Sequence, residues 1–265
     1  MIYPWDPKSF NSEIVSALDN NSELISDYFR EDIKLMDEHL SSSTYQSLKS
    51  NRFNYAFSDF KENVLTPILK HNRIIVWHYT RLTDDEVEMM RKRLMPSTLD
   101  YLKLRLELLV SKGLLTYEES QVVFKQSPFH KQERNRSGML WTTTTPDPIT
   151  DMGVEPLLQS WGGESAHFWL TDEDLKLKLK EIGLPRVIEI ETEITDGLNA
   201  FSVSETFLEA WAKKLGINVA PSGTDLSIKS SVNKAKVVKV HTEGQSSFNE
   251  LAKTYPKNVQ ALLRK

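Results

Sequence analysis

The amino-acid sequence predicts an α+β fold, and two observations favour this class. The chain before residue 72 carries only helical periodicity, whereas every segment with strand character comes later. Strands and helices then follow one another without the regular alternation of a doubly wound α/β sheet. We therefore expect a helical N-terminal region over residues 1–72 and an α+β catalytic-type domain over residues 73–265.

The N-terminal region is predicted to be helical from the spacing of its apolar residues. These recur at helical intervals through Asp6–Met36, and clusters of Asn and Ser mark the breaks between helices. A further helix is expected over Tyr55–Leu69, where Pro67 kinks or ends it. Nothing here suggests chemistry, so we expect this region to cover the following domain or to dock a partner.

Four later segments have the composition of strands. They are Ile74–Leu82, Gly138–Thr145, Arg186–Ile194 and Ala235–Val240. The third alternates isoleucine with Glu189, Glu191 and Glu193, which are expected on a solvated face. If the third and fourth segments pair, lysines of the fourth lie beside these glutamates. The segment Glu164–Leu170 fits either a strand or a helix.

The remaining helices are predicted from their caps. Thr83 with Glu86, and Thr116 with Glu119, have the spacing of a capping box at a helix start. Gly113 stands where a preceding helix would end. The other predicted helices are Leu99–Lys112, Val154–Trp161, Leu175–Ile182 capped by Thr171, Ser204–Leu215, and a final one capped by Ser247 and Glu250.

Composition excludes several classes of function. The 265 residues carry a net charge of −4, which argues against a strongly basic surface for non-specific nucleic-acid binding. There is no cysteine, so disulfides, thiolate zinc sites and cysteine nucleophiles are excluded, and the six histidines lack metal-ligand spacing. No apolar run approaches the roughly 20 residues that span a bilayer, and we expect no secretion signal because the first residues lack its charged and apolar regions. We expect a cytoplasmic protein with no metal site and no membrane partner.

Candidate functional residues fall at three places in the domain. Familiar phosphate-loop, dinucleotide, nucleophile-elbow and zinc-protease signatures are absent. Polar and aromatic side chains instead collect where the first two strands end or begin, and at a glycine pair further on. They are His78, Tyr79, Thr80 and Arg81; then Arg136, Trp141 and Thr142; then Trp161, Gly163 and Glu164. Strand ends of this kind often line ligand clefts.

The first of these groups resembles a known family. A strand ending in His78-Tyr79-Thr80-Arg81, followed by a capped helix, resembles the first motif of the ADP-ribosyltransferase superfamily of the histidine-tyrosine-glutamate type. That superfamily includes poly(ADP-ribose) polymerases and diphtheria-like toxins. The resemblance implies a split mixed β-sheet with flanking helices, NAD as substrate, and transfer of ADP-ribose to a protein or nucleic-acid acceptor. It also implies a bacterial toxin or phage-defence effector, with an antitoxin or other regulatory partner.

The resemblance assigns roles to individual residues. His78 would bind the adenosine-side ribose, Trp141 would stand in for the aromatic that packs on nicotinamide, and Glu164 would be the catalytic glutamate. This suits the chemistry, because a fixed carboxylate stabilises the oxocarbenium-like charge that develops as nicotinamide leaves. Hydroxyl and guanidinium groups would hold the ribose and the pyrophosphate. The candidates for these contacts are Tyr79, Thr80, Arg81, Arg136, Thr142, Trp161 and Gly163.

Alternatives remain open at this point. Instead of Glu164, the catalytic glutamate would be one of four others, which are Glu189, Glu191, Glu193 and Glu205. The histidine and tryptophans also fit structural roles, and the glycine pair fits a helix stop. Two other functions are a non-enzymatic nucleotide- or partner-binding regulatory module and a metal-independent nuclease using His78 and His130. The basic residues Lys131, Arg134 and Arg136 would suit an RNA or DNA acceptor.

Overall fold

A computed structural model describes residues 1–41, 49–132, 137–194, 200–219, 222–229 and 234–254. The α-helices are α1 (Ser12–Asp19), α2 (Ser22–Ser41), α3 (Asn54–Phe60), α4 (Thr66–Lys70), α5 (Asp84–Lys92), α6 (Leu99–Ser111), α7 (Tyr117–Gln126), α8 (Glu155–Gln159), α9 (Glu173–Glu181), α10 (Val203–Lys214) and α11 (Ser246–Thr254). The strands are β1 (Arg73–Leu82), β2 (Leu140–Thr143), β3 (Leu184–Glu193), β4 (Asp225–Ile228) and β5 (Lys236–Thr242).

The five strands form one sheet in the order β4-β2-β1-β3-β5. The α+β class is confirmed, but the expected mixture of strand directions is not, because each of the four strand pairings is antiparallel. β1 and β3 pair along their whole length, whereas β1 and β2 share a single aligned pair, Trp77 with Thr143. The sheet is therefore least continuous between β1 and β2, beside His78.

One face of the sheet packs against the N-terminal helices and α10. Ile74 and Val76 of β1 lie in one cluster with Leu18 of α1 and Phe207 of α10. The other face packs against α8 and α11 in a smaller cluster that contains Trp77 and Tyr79. A third cluster joins α6, α7 and α9 to Trp161. The helical N-terminal region thus shares its core with the sheet.

The expectation for the glutamates of β3 was partly wrong. Glu191 pairs with Arg73 at 3.1 Å and with Lys236 at 2.9 Å, so the predicted neighbouring of glutamates and lysines is confirmed. Glu189 instead is only 6% exposed and lies 2.8 Å from Nε2 of His241. The alternation correctly predicted the face of the sheet on which Glu189 lies. That face is not exposed to solvent at Glu189, because α8, α11 and the N-terminal segment cover it.

Local signals predicted most of the helices. The capping boxes at Thr83 and Thr116 are both formed. The predicted helix Tyr55–Leu69 is present as α3, a π-helical turn Lys61–Leu65 and α4. The N-cap of α9 is Asp172 rather than Thr171, since the Asp172 carboxylate accepts the Leu175 amide.

Two other segments differ from the expectation. The segment 164–170 is neither strand nor α-helix but two 3-10 turns, Gly163–Ser165 and His167–Trp169. Strand β4 was not predicted, because four residues carry too little pattern to identify a strand. Among the described residues, no helix is both long enough and apolar enough to cross a bilayer.

Candidate functional site

β1 and β2 share only one aligned pair, and we call this weakly paired place the break in the sheet. His78 lies in β1 beside it. Its Nδ1 is 2.8 Å from the main-chain carbonyl oxygen of Trp141 in β2. A carbonyl oxygen only accepts hydrogen bonds, so Nδ1 carries the proton. Burial and the nearby positive charge of Arg105 lower the pKa of His78, although the bond to Trp141 opposes this. The imidazole is therefore neutral near pH 7, with Nε2 as a hydrogen-bond acceptor.

The residues that follow His78 in β1 are placed differently from one another. Tyr79 points to the opposite face, where its hydroxyl donates to the carbonyl oxygen of Asp147 at 3.0 Å. Thr80 is half-buried, shares the face of His78 and pairs with Arg186 in register. Arg81 donates to the carbonyl oxygens of Ile182 at 3.0 Å and Leu158 at 3.4 Å. Tyr79 and Arg81 thus bind the main chain of neighbouring segments.

The residues predicted on the second strand also separate. The Trp141 side chain is 39% exposed, and the pairing of Trp77 with Thr143 places it on the face of Tyr79, opposite to His78. Thr142 is 4% exposed and its hydroxyl donates to the carbonyl oxygen of Leu226 at 2.8 Å, which serves the β2–β4 pairing. Arg136 lies outside the described residues.

Trp161 belongs to a buried polar cluster at the start of α5. Its ring is fully buried, and its Nε1–H lies 3.0 Å from both carboxylate oxygens of Glu86. Arg105 of α6 donates from Nε to Glu86 at 2.6 Å and places its guanidinium over the Trp161 ring at 4.5 Å. Trp161 can contact a cofactor only if Glu86 and Arg105 first move away from its ring.

Arg105 is the residue near His78 that the sequence did not single out. Its side chain is 12% exposed, and its Nη2 is buried without a hydrogen-bond partner among the described residues. Besides burial, its positive charge contributes to the lowered pKa of His78. The sequence pattern that could have identified Arg105 is an arginine among leucines of the buried side of α6, which are Leu102, Leu106 and Leu109. A buried arginine is uncommon unless its charge is paired.

Glu164 and Gly163 lie on the 3-10 turn Gly163–Ser165. Gly162, just before it, has φ +78°, and a Cβ there would lie 2.6 Å from the Cβ of Ala166, so the turn requires glycine at this position. The Glu164 side chain is exposed. Glu164 lies near enough to Asp225 to contribute to the raised pKa of that residue, which burial causes in the main. Asp225 pairs in register with Thr143, which shares the face of Trp77.

Asp147 adds a second acidic group to this side of the sheet. Burial raises the pKa of Asp147 to about 6, although hydrogen bonds from Thr145 and Thr143 lower it. The Thr145 hydroxyl donates to Oδ1 of Asp147 at 3.1 Å. Sequence reasoning missed Asp147 because the loop after β2 shows only its turn residues. Within the described ranges, no group of three or more histidine, aspartate or glutamate side chains is arranged to hold a metal ion.

The alternative glutamates are engaged elsewhere. Glu189 accepts from His241 and from the Tyr3 hydroxyl, the latter at 3.2 Å. Glu193 pairs with Lys234 at 3.1 Å, and Glu205 pairs with Lys61 at 2.9 Å. Glu191 is held by the two pairs described above. None of these contacts involves the residues around the break in the sheet.

Comparisons of this chain with protein-family models, with curated proteins and with solved structures found no match.

Proposed function

We propose that this protein is an NAD-dependent ADP-ribosyltransferase, which releases nicotinamide and transfers ADP-ribose to a protein or nucleic-acid acceptor. The observation that carries the proposal is the orientation of His78. Its Nδ1–H is committed to Trp141, so Nε2 offers a fixed acceptor at the break between β1 and β2. A ribose hydroxyl is a donor of the kind that such a nitrogen binds.

Three further groups would supply the other needs of the reaction, with the Trp141 ring reached across the break from the opposite face of the sheet. Arg105 would bind the pyrophosphate through Nη2, which has no hydrogen-bond partner among the described residues, while its Nε stays paired with Glu86. Arg81 is less suited to this role because it binds two carbonyl oxygens. The exposed indole of Trp141 offers a face for nicotinamide. The exposed Glu164 is the carboxylate that would stabilise the oxocarbenium-like charge as the glycosidic bond breaks.

In this proposal the break between β1 and β2 is the dinucleotide cleft. The single aligned pair between these strands supports it, because the backbone beside His78 is not committed to a continuous β1–β2 ladder. The divided sheet that the family resemblance implies would correspond to this break. The biological role as a toxin or defence effector with a regulatory partner rests on the same resemblance.

The test is release of nicotinamide from NAD, with water as the acceptor of ADP-ribose. Chromatography measures the nicotinamide that is released. We expect activity in the unchanged protein and a loss of about 100-fold or more in Glu164→Gln. His78→Asn keeps a donor near the position of Nδ1 but removes the Nε2 acceptor, so it should weaken NAD binding. Glu107→Gln and His71→Asn, at exposed positions on α6 and after α4, serve as matched controls and should retain activity.

Other outcomes would support the other functions. Absence of both NAD binding by calorimetry and nicotinamide release would overturn the proposal. Nucleotide binding without turnover would favour a regulatory module, and RNA cleavage without NAD would favour the nuclease. The nuclease has less support, because His130 already donates from Nε2 to the carbonyl oxygen of Phe124 at 2.9 Å.

A further inference from the structure

Two adjacent aromatic side chains project from the turn that follows Glu164. Phe168 is 44% exposed and Trp169 is 41% exposed, both on the 3-10 turn His167–Trp169. Trp169 is five residues from Glu164, so even a fully extended chain places them no more than about 18 Å apart. We call Phe168 and Trp169 the aromatic pair. Neighbouring exposed aromatics of this kind mark a binding surface more often than isolated ones do.

Two lysines lie on α9, which begins four residues after the aromatic pair. Lys176 and Lys180 of α9 lie close enough to His167 to add to the lowering of its pKa that burial causes. Lys180 is exposed, and no carboxylate among the described residues lies within ion-pair distance of it. Lys176 pairs with Glu173 at 2.7 Å, but Glu173 is 77% exposed, and such surface pairs are weak enough to exchange for a phosphate.

A third lysine lies on another loop. Lys131 is exposed and directly follows the 3-10 turn Pro128–His130. This turn is held against the Glu164 turn, because the Ser127 hydroxyl donates to the carbonyl oxygen of Ser165 at 2.9 Å. Lys131 therefore follows a turn that contacts the turn of Glu164.

We propose that the aromatic pair and Lys131, Lys176 and Lys180 bind single-stranded nucleic acid and present it to Glu164 as the acceptor of ADP-ribose. Stacked bases would cover the aromatic faces, and the lysines would contact the phosphates. A duplex is disfavoured, since its bases are already stacked and paired. The binding step stands alone, whereas the acceptor step rests on the proposed transferase activity.

The binding step is tested without NAD. Fluorescence anisotropy at low salt would compare labelled single-stranded 12-nucleotide DNA and RNA with a DNA duplex of the same length. We expect single strands to bind several-fold tighter than the duplex, with affinity that falls as salt rises. Phe168→Ala with Trp169→Ala should weaken binding about ten- to a hundredfold. Lys176→Glu with Lys180→Glu should weaken binding and reduce the salt dependence.

Matched controls separate this surface from general effects on the protein. Tyr117→Ala removes an aromatic that is 64% exposed on α7, and Lys34→Glu with Lys103→Glu changes charge at exposed positions. Circular dichroism would confirm that each variant is folded. The proposal is overturned if single strands do not bind, if the duplex binds as tightly, or if the aromatic double variant binds normally. A surface that instead captures only apolar peptides would also overturn it.

The acceptor step is tested with NAD labelled in the ADP-ribose portion. Label should pass to the single strand in the unchanged protein, and the aromatic double variant should lose this transfer while still releasing nicotinamide to water. If the unchanged protein neither releases nicotinamide nor labels the strand, the transferase function is contradicted. The binding result is then judged separately. Binding of the strand with nicotinamide release but no labelled strand would overturn the acceptor step alone.

Discussion

The imidazole of His78 bridges β1 and β2 through a 2.8 Å hydrogen bond from Nδ1 to the main-chain carbonyl oxygen of Trp141. The two strands share only the aligned pair Trp77 with Thr143, so this side-chain bond continues the connection where the backbone ladder stops. One ring nitrogen thus links the two strands, and the other is the one that would bind the ribose in the proposed function. These two roles can be separated by mutation.

The first prediction concerns the stability provided by Nδ1 of His78. His78→Ala removes the donor to Trp141 and should lower the free energy of unfolding by about 1–3 kcal/mol. His78→Asn retains an N–H near the same position and should stay within about 1 kcal/mol of the unchanged protein. Urea denaturation measures both. Equal losses in the two variants would mean that the hydrogen bond to Trp141 is not what stabilises the sheet.

The second prediction concerns the buried carboxylate of Glu86. Glu86→Ala leaves Arg105 buried without its partner and removes the acceptor of the Trp161 Nε1–H, so we expect a loss of about 3–5 kcal/mol. Glu88→Ala, on the same helix, removes a side chain that is 59% exposed and pairs with Arg91. That control should cost less than about 1 kcal/mol. Thermal unfolding of the two variants at neutral pH compares them, and similar losses would contradict the role of the cluster.

Glu86 also shows where sequence reasoning succeeds and where it stops. Its spacing from Thr83 predicted a capping box, which is a local interaction and is present. The same carboxylate also binds Arg105 and Trp161, which lie 19 and 75 residues further along the chain. Nothing local encodes those contacts, since they depend on how α6 and the segment after α8 pack against α5.

The strands show the same difference between what local sequence predicts and what depends on packing. β1 and β3 were predicted because ten residues of apolar or alternating pattern suffice to identify a strand. β4 was missed because its four residues gain their conformation from pairing with β2. The candidate site divides similarly, because the sequence drew attention to His78 and Glu164, whereas Arg105 and Asp147 emerge only from packing.

The third prediction concerns pH and Asp147. Its pKa is raised from 3.8 to about 6 mainly by burial, so the folded protein holds this proton more tightly than the unfolded chain does. The contribution to stability is present below the unfolded pKa and is lost as pH rises through about 6. At pH 7 the ionised carboxylate therefore costs about 1–3 kcal/mol.

Asp147→Asn should remove that cost while keeping an acceptor for the Thr145 hydroxyl. The gain in unfolding free energy over the unchanged protein should be small at pH 4 and reach about 1–3 kcal/mol at pH 7.5. Asp37→Asn, at an exposed position on α2, should show no such trend. Urea titrations across this pH range measure the difference, and a gain that is independent of pH would show that ionisation of Asp147 is not its cause.

The last prediction concerns Gly183, where the chain turns from α9 into β3 beside the end of β1. Its φ is +70°, and a Cβ there would lie 2.4 Å from the carbonyl carbon of Leu82 and 2.5 Å from its oxygen. Gly113 has the same φ of +70° but nothing within 4 Å of its Cβ position. Gly113→Ala should therefore cost only the left-handed conformation, about 1–2 kcal/mol.

Gly183→Ala carries that same conformational cost and must also displace backbone at the pairing of Leu82 with Leu184. We expect it to lose at least about 2 kcal/mol more than Gly113→Ala, since backbone cannot swing aside as a side chain end can. Urea denaturation of the two variants isolates the effect of close approach from that of backbone conformation. If they lose the same free energy of unfolding, the contact between Gly183 and Leu82 does not constrain this end of the β1–β3 ladder.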